Sequence, residues 1–205
     1  MTARVFLFVI AGLLAGAVAA LSLVTRAPPP AGAPQSASST GKALIGGPFA
    51  LSDTTGKPVT NATFAGRPML AYFGFTHCPD ICPSGLQVIS SALDQLGANS
   101  TKVSALFITL DPERDTAAKL GEYMKSFNPQ IIGLTGTADE IATATKAYRV
   151  YAKKVASDSA PADYSIDHSG FMYLMDAKGE YVTHFPHNTG ADKLSAALTQ
   201  SIAKS

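Results

Sequence analysis

Cysteine is scarce in this chain: 205 residues carry two, Cys78 and Cys82. So small a complement excludes a fold held together by disulfides. Bridging this pair would close a loop of five residues, which in the chain-entropy model stabilises by only about 2 kcal/mol, against about 4 to 5 kcal/mol for a long loop. A domain large enough to bury its own core needs no such staple. Other absences narrow the field. No basic patch or stripe stands out, which argues against nucleic acid as a partner. No internal repeat is visible. No Arg- and Ser-rich amphipathic leader precedes the first apolar run, which points away from mitochondrial import and toward a bacterial inner membrane.

That apolar run extends from Val5 to Val24 and is flanked by Arg4 and Arg26. At about 1.5 Å of rise per residue, some 20 residues span the ~30 Å hydrocarbon core. Ala17-Val18-Ala19 offers small residues suited to signal cleavage, but a signal's apolar region is usually only about 7 to 15 residues long. A retained single transmembrane helix is therefore the stronger reading. The flanking cations offset each other, so its orientation follows the usual behaviour of N-terminal anchors, with the bulk of the chain outside the cytoplasm. The stretch from Ala27 to Gly41, rich in Pro, Ala and Ser, reads as a solvated tether. The expected organisation is an anchor over residues 1–26, a linker over 27–43 and one domain over 44–205. Beyond Arg26 the chain carries 14 basic and 15 acidic residues, a near balance that sets up no strong field.

Within the domain, Phe49–Asp53, the turn signal Thr54-Thr-Gly-Lys57 and Val59-Thr60 predict a short β-hairpin. The continuous apolar run Pro68–Phe75 predicts a buried central strand. Pro83 fits the first position of a helix, and Leu86, Ile89, Leu93 and Leu96 recur at helical spacing behind it. A second buried strand is expected over Lys102–Leu110, then a helix from about Glu113 to Phe127, a short strand over Gln130–Leu134 and a helix over Ala138–Tyr148. Strands at Phe171–Met175 and Tyr181–Phe185, joined by the turn Asp176–Gly179, precede a last helix over Leu194–Ile202. Strands alternating with helices predict an α/β fold with a sheet covered on both faces. The arrangement is thioredoxin-like, with an added N-terminal hairpin and an insertion near Tyr151–Ser165.

The cysteine pair, Cys78-Pro-Asp-Ile-Cys82, falls beyond the carboxyl end of the central strand and at the start of a helix, where such folds place their sites. A helix N-terminus favours the anionic form of Cys82 and, less directly, of Cys78. Paired thiolates suit a soft ion such as Cu(I) or a dithiol/disulfide cycle. An anchored domain outside the cytoplasm sits in an oxidising compartment, so thiols kept there for function need a metal or a reductant. A third ligand could come from one of four histidines, His77, His168, His184 and His187. His168 lies in a loop feeding a strand, with Asp167 and Ser169 placed to hold its tautomer. Spacing alone leaves this reading open beside that of a plain polar loop residue. His77, His184 and His187 read as solvated, Met172 and Met175 as core filling, Asp80 as a turn former or a neighbour of the metal, and Asp111–Thr116 mainly as a helix cap. Arg114 could pair locally or meet a partner.

Tyr72-Phe-Gly-Phe-Thr-His-Cys78-Pro-Asp-Ile-Cys82-Pro83 resembles the signature of the Sco (SenC) family of copper-binding assembly factors for cytochrome c oxidase. Asp111-Pro-Glu-Arg114-Asp115-Thr116, Asp167-His168-Ser169, Phe49-x-Leu51-x-Asp53 and Gly56-x-x-Val59-Thr60 resemble further motifs of that family. The likeness runs from about Gly47 to the last helix. It implies that Cys78, Cys82 and His168 are copper ligands. It also implies that copper, as Cu(I) or Cu(II), is delivered to the binuclear CuA site of oxidase subunit II, or that this site's cysteines are reduced before metal arrives. A second periplasmic copper chaperone or a thioredoxin-like reductant would then act with it. Three other readings stand beside copper delivery: a thiol–disulfide oxidoreductase using Cys78 and Cys82, although the thioredoxin-like motif has two residues between its cysteines rather than three; a thiol peroxidase; and a structural zinc site, for which two cysteines and a histidine leave one of four positions open.

Overall fold

Alternation along one strand sets the architecture. The computed structural model describes residues 44–156 and 164–205. In β3 (Met69–Gly74), Leu70 and Tyr72 enter one apolar cluster, while Met69, Ala71 and Phe73 enter another on the opposite face. All six residues are buried, as a strand covered on both sides requires. β4 (Ser104–Thr109) behaves the same way, sending Ala105 and Phe107 to one face and Leu106 and Ile108 to the other.

β3 pairs in parallel with β4, and β4 in parallel with β5 (Ile131–Thr135). An N-terminal hairpin, β1 (Ala50–Asp53) and β2 (Pro58–Thr60), extends that edge antiparallel to β5. On the other side of β3 lie β8 (Phe171–Met175) and β9 (Tyr181–Pro186), both antiparallel. The sheet order is thus β2-β1-β5-β4-β3-β8-β9. α1 (Ile81–Leu96), α2 (Ala117–Met124) and α4 (Ala191–Ile202) bury Leu86, Ile89, Leu93, Leu120, Leu194 and Leu198 against one face. α3 (Ala138–Ala147) contributes Ile141 and Ala144 to the other, beside Phe73, Tyr148 and Tyr173. The predicted thioredoxin-like α/β arrangement with its hairpin extension is the arrangement observed.

Boundaries differ from expectation where side chains compete with the local pattern. α1 begins at Ile81 with Asp80 as its N-cap, so Pro83 is third in the helix rather than first; its missing N–H still falls among the unpaired groups of the first turn. α2 begins only at Ala117, capped by the Thr116 hydroxyl accepting from Lys119 N at 3.4 Å, because the residues expected to open it are occupied in a buried hydrogen-bond net. The insertion forms a separate two-stranded sheet, β6 (Ala152–Ala156) against β7 (Tyr164–His168). The expected membrane span over Val5–Val24, the linker over 27–43 and the centre of the insertion lie outside the described residues. Among those that are described, no helix is long and apolar enough to cross a membrane.

Candidate metal centre

Cys78 lies in the turn between β3 and α1 and Cys82 in the first turn of α1; both are unbridged and buried, at 8% and 0% exposure. The turn is closed by Cys78 N–H donating to Phe75 O at 3.2 Å. Beneath it the chain needs a glycine. A Cβ on Gly74 would stand 2.5 Å from Cys82 Sγ and 2.8 Å from the Phe107 ring, so the last residue of β3 is bare where the thiol packs. Across α1, a Cβ on Gly85 would meet the Tyr72 hydroxyl at 2.5 Å, and that hydroxyl donates to Ile81 O at 2.8 Å. The central strand therefore grips the first turn of the helix from below.

The two thiols divide one role. Cys78 is held down to about 5, first because the Cys82 thiol donates a hydrogen bond to it. Burial works against this, while the Asp80 and Cys82 backbone N–H groups and the nearby His168 reinforce it. Cys82 is pushed far upward by the same hydrogen bond, by its burial and by the charge on Cys78. The pair is thus a thiolate and a thiol sharing one proton. The helix N-terminus acts on Cys78, not chiefly on Cys82 as expected, because its N–H groups point back at the earlier sulfur.

His168 is the last residue of β7 rather than part of a loop. Its Nε2 lies 3.5 Å from Cys82 Sγ, and its Nδ1 lies 3.0 Å from the carbonyl of Ile166. A carbonyl can only accept, so Nδ1 carries a hydrogen toward Ile166, and the ring is held with Nε2 facing the sulfur pair. The backbone of Ile166 thereby takes the orienting role expected of Asp167 and Ser169. Asp167 is exposed, and the Ser169 hydroxyl accepts from Tyr151 N at 3.2 Å. The Phe75 ring meets the imidazole edge-on at 5.5 Å.

Thus the structure brings Cys78, Cys82 and His168 together in one group of neighbouring side chains. Among the described residues, no three His, Cys, Asp or Glu side chains are already spaced as a closed metal cage. The Cys82–His168 gap is nonetheless compatible with an ion: bonds of about 2.3 Å to sulfur and about 2.0 Å to imidazole nitrogen span 3.5 Å at roughly the tetrahedral angle. Two sulfurs and one nitrogen form a soft donor set.

The remaining candidates stay apart from this group. His77 is exposed beside the Thr76 hydroxyl, 3.1 Å away. His184 stacks against Tyr181 and takes a 2.5 Å contact from its hydroxyl. His187 rests against Gly170, donating its backbone N–H to Gly170 O at 2.8 Å. Met172 and Met175 are fully buried. Asp80 is exposed, with Ser84 Oγ 2.8 Å from its carbonyl. Sequence reasoning missed Asp111 and Asp115. Expected to cap a helix, they are instead fully buried. The signal available was two aspartates in a stretch otherwise ready to be helical, which is a faint one. A cleft of about 320 Å³ runs beside the group, lined by His77, Pro79, Arg114, Val155, Ala156, Tyr164 and Ser165.

Comparison with known proteins is consistent across sequence and structure. A family model described as SCO1/SenC matches residues 37–203. The chain is 44% identical over 165 residues to Protein SCO1 homolog 1, mitochondrial, of Arabidopsis thaliana, covering 80% of this chain and 49% of that protein. It is 40% identical over 160 residues to Protein SCO1 homolog, mitochondrial, of Homo sapiens, covering 77% and 53%. The chain therefore spans about half the length of these curated relatives. Among solved structures, Bradyrhizobium japonicum ScoI with copper bound superposes with a TM-score of 0.72 at 45% identity, covering 77% of this chain and 99% of that one.

Proposed function

This chain belongs to the SCO1/SenC family, and from that premise we propose that it carries copper, gripped by Cys78, Cys82 and His168, and passes it to the CuA site of cytochrome c oxidase subunit II. The observation that carries this reading is the convergence of two sulfurs and an oriented imidazole at the end of the central strand. Thiolate selects Cu(I), and imidazole extends the set to Cu(II). Three protein donors leave a coordination position through which a recipient's ligand can enter before the carrier's ligands depart. Copper here is cargo, so affinity has to be matched by a route for release. The family resemblance supports the recipient, and the copper bound to the Bradyrhizobium relative supports the ion.

The test is metal analysis of the reduced, anaerobic protein. One copper per chain is expected, lost in the double variant Cys78→Ser, Cys82→Ser. Tight Cu(II) binding and its thiolate absorption are expected to vanish in His168→Ala. A wild-type protein that retains no copper would sink the proposal. In the cell, a retained anchor over Val5–Val24 places the domain on the periplasmic face of a bacterial inner membrane. Recovery of the whole protein in the soluble fraction after an alkaline wash would refute that placement.

One observation favours a second reading. A thiolate at Cys78 beside a protonated Cys82 is the arrangement from which a thiol–disulfide exchange starts. The Cys78 thiolate would attack a disulfide in subunit II, and Cys82 would displace the mixed disulfide. Two electrons would pass to the partner, leaving Cys78–Cys82 oxidised and the recipient's two thiols reduced. Turnover on a protein disulfide that is unchanged in His168→Ala would identify this activity, whereas copper transfer requires the histidine. The two reactions use the same sulfurs and can be successive steps on one partner.

A further inference from the structure

The loop between β4 and α2 supplies none of the three donors, yet it holds the segments that do. Asp115 is fully buried and accepts three hydrogen bonds: Thr76 O–H at 2.6 Å, Thr76 N–H at 3.0 Å and Thr109 O–H at 2.7 Å. Thr76 lies two residues before Cys78. Asp111, also fully buried, accepts from Tyr164 O–H at 2.6 Å and from Arg114 Nε–H. The Arg114 guanidinium lies 3.8 Å over the Tyr164 ring and donates through Nη1 to Tyr164 O at 2.9 Å. Tyr164 opens β7, the strand that ends in His168.

We propose that the Asp111–Asp115 loop is the positioning element of the site. Asp115 fixes the cysteine turn through Thr76, and Asp111 with Arg114 fixes the histidine hairpin through Tyr164. One loop therefore sets the gap between the sulfurs and the imidazole. The physical argument starts from cost. A carboxylate kept out of water is expensive unless its oxygens are filled, and here both are filled by groups leading to the donors. The hairpin needs such a tie, because a two-stranded sheet is marginal alone and this one buries only Ile166 of its apolar side chains. A further link to the loop, Lys154 to Glu113 at 2.7 Å, is solvent-exposed, and such pairs contribute little. The cleft beside Arg114 runs between the two halves that the loop joins.

The inference rests on the donor set proposed above, and its test is arranged to separate the two. Tyr164→Phe removes the hydroxyl that reaches Asp111. Thr76→Val removes the hydroxyl that reaches Asp115, and Thr76→Ser keeps it. In the full reduced chain, Tyr164→Phe is expected to weaken Cu(II) about 10-fold or more, as outer-layer changes at metal sites do, and to shift its thiolate absorption. Cu(I), which thiols dominate, is expected to be affected much less. Thr76→Val is expected to weaken both ions, with Thr76→Ser near wild type. Variants that melt earlier but bind both ions with unchanged affinity and spectrum would overturn the proposal, leaving the loop a structural role only. If wild type binds no copper, the function above fails and the inference is judged on the metal-free protein. There, Tyr164→Phe has to move the NMR signals of the His168 ring, and Thr76→Val that of the Cys78 amide. Unmoved signals overturn it.

Discussion

The site joins two regions of opposite construction. The cysteine turn is built on the most buried part of the molecule: β3 lies wholly inside, Gly74 is bare to admit Cys82, and Tyr72 reaches across to the first turn of α1. The histidine hairpin is nearly the reverse. Every residue of β6 is exposed, and β7 buries Ile166 alone. One half of the donor set is fixed by packing and the other by polar ties. A copper carrier of the kind proposed, which has to close around an ion and then open, would gain from this asymmetry, since local opening is cheapest where few apolar contacts hold a segment. The sulfurs can stay in register while the imidazole leaves or returns.

That contrast is broken most directly by equal truncations on the two sides. Leu86→Ala removes a fully buried side chain of α1 and is expected to cost about 2 to 5 kcal/mol in global unfolding. Ile166→Ala is expected to cost the whole molecule far less in chemical denaturation, because the hairpin opens without the sheet. Hydrogen exchange in β6 and β7 should nonetheless accelerate, and Cu(II) affinity should fall. Equal losses of global stability would show that the hairpin unfolds only with the core. Next in size is Gly74→Ala. Its Cβ would overlap Cys82 Sγ, and overpacking of this kind costs roughly 1 to 3 kcal/mol. Copper binding should suffer more than stability, since the displaced atom is a proposed donor. Wild-type affinity in Gly74→Ala would mean that the sulfur moves freely and that the turn is less rigid than the hairpin.

The same asymmetry explains what could be read from the sequence. β3, β4 and α1 announce themselves through continuous apolar runs and helical spacing, because packing alone decides them. The cysteine pair was legible from its place after such a run. β6 and β7 were not, since Ala152–Ala156 alternates weakly and its partner strand has one buried residue. His168 was reachable by spacing only as one open reading among four histidines, and the motif resemblance singled it out. Asp111 and Asp115 read from the sequence as part of a helix cap. Proline at 112 and threonine at 116 supply the same local signal whether the carboxylates face water or Thr76 and Tyr164. Burial of a charge is decided by partners distant in sequence, here 39 residues away for Asp115 and 53 for Asp111.

A titration sharpens the contrast at the sulfurs. Cys78 is held down to about 5, well below the ordinary range of a thiol, while Cys82 is raised. The metal-free reduced protein should therefore show one thiolate, not two and not none, by ultraviolet absorbance between about pH 5 and pH 9. For stability, a depressed thiol contributes fully above its unfolded value and loses that contribution as pH falls through the folded one. The Cys78 contribution thus declines from about pH 9 downward and is gone below about pH 5. His168→Ala should raise the midpoint, because His168 is among the groups that hold it down. A midpoint unmoved by that change would place the imidazole too far from the sulfurs to act on them.

The smallest expected effect lies at the root of the hairpin. α3 ends with Arg149 at φ 56°, just past its C-cap Tyr148. Arg149 N–H donates to Lys146 O at 3.2 Å and Val150 N–H to Thr145 O at 2.9 Å, the paired bonds of a helix end that ordinarily uses glycine. A side chain in this left-handed conformation costs roughly 1 kcal/mol. Arg149→Gly should therefore stabilise the fold by up to about 1 kcal/mol, less whatever is lost with the exposed 3.3 Å bond from Arg149 Nε to Leu44 O. Because it tightens the segment leading into β6 without touching a donor or its ties, copper affinity should not change. A gain in stability accompanied by slower copper release would mean that the hairpin's looseness begins at its root, and that the polar ties at Tyr164 share the control of His168 with the end of α3.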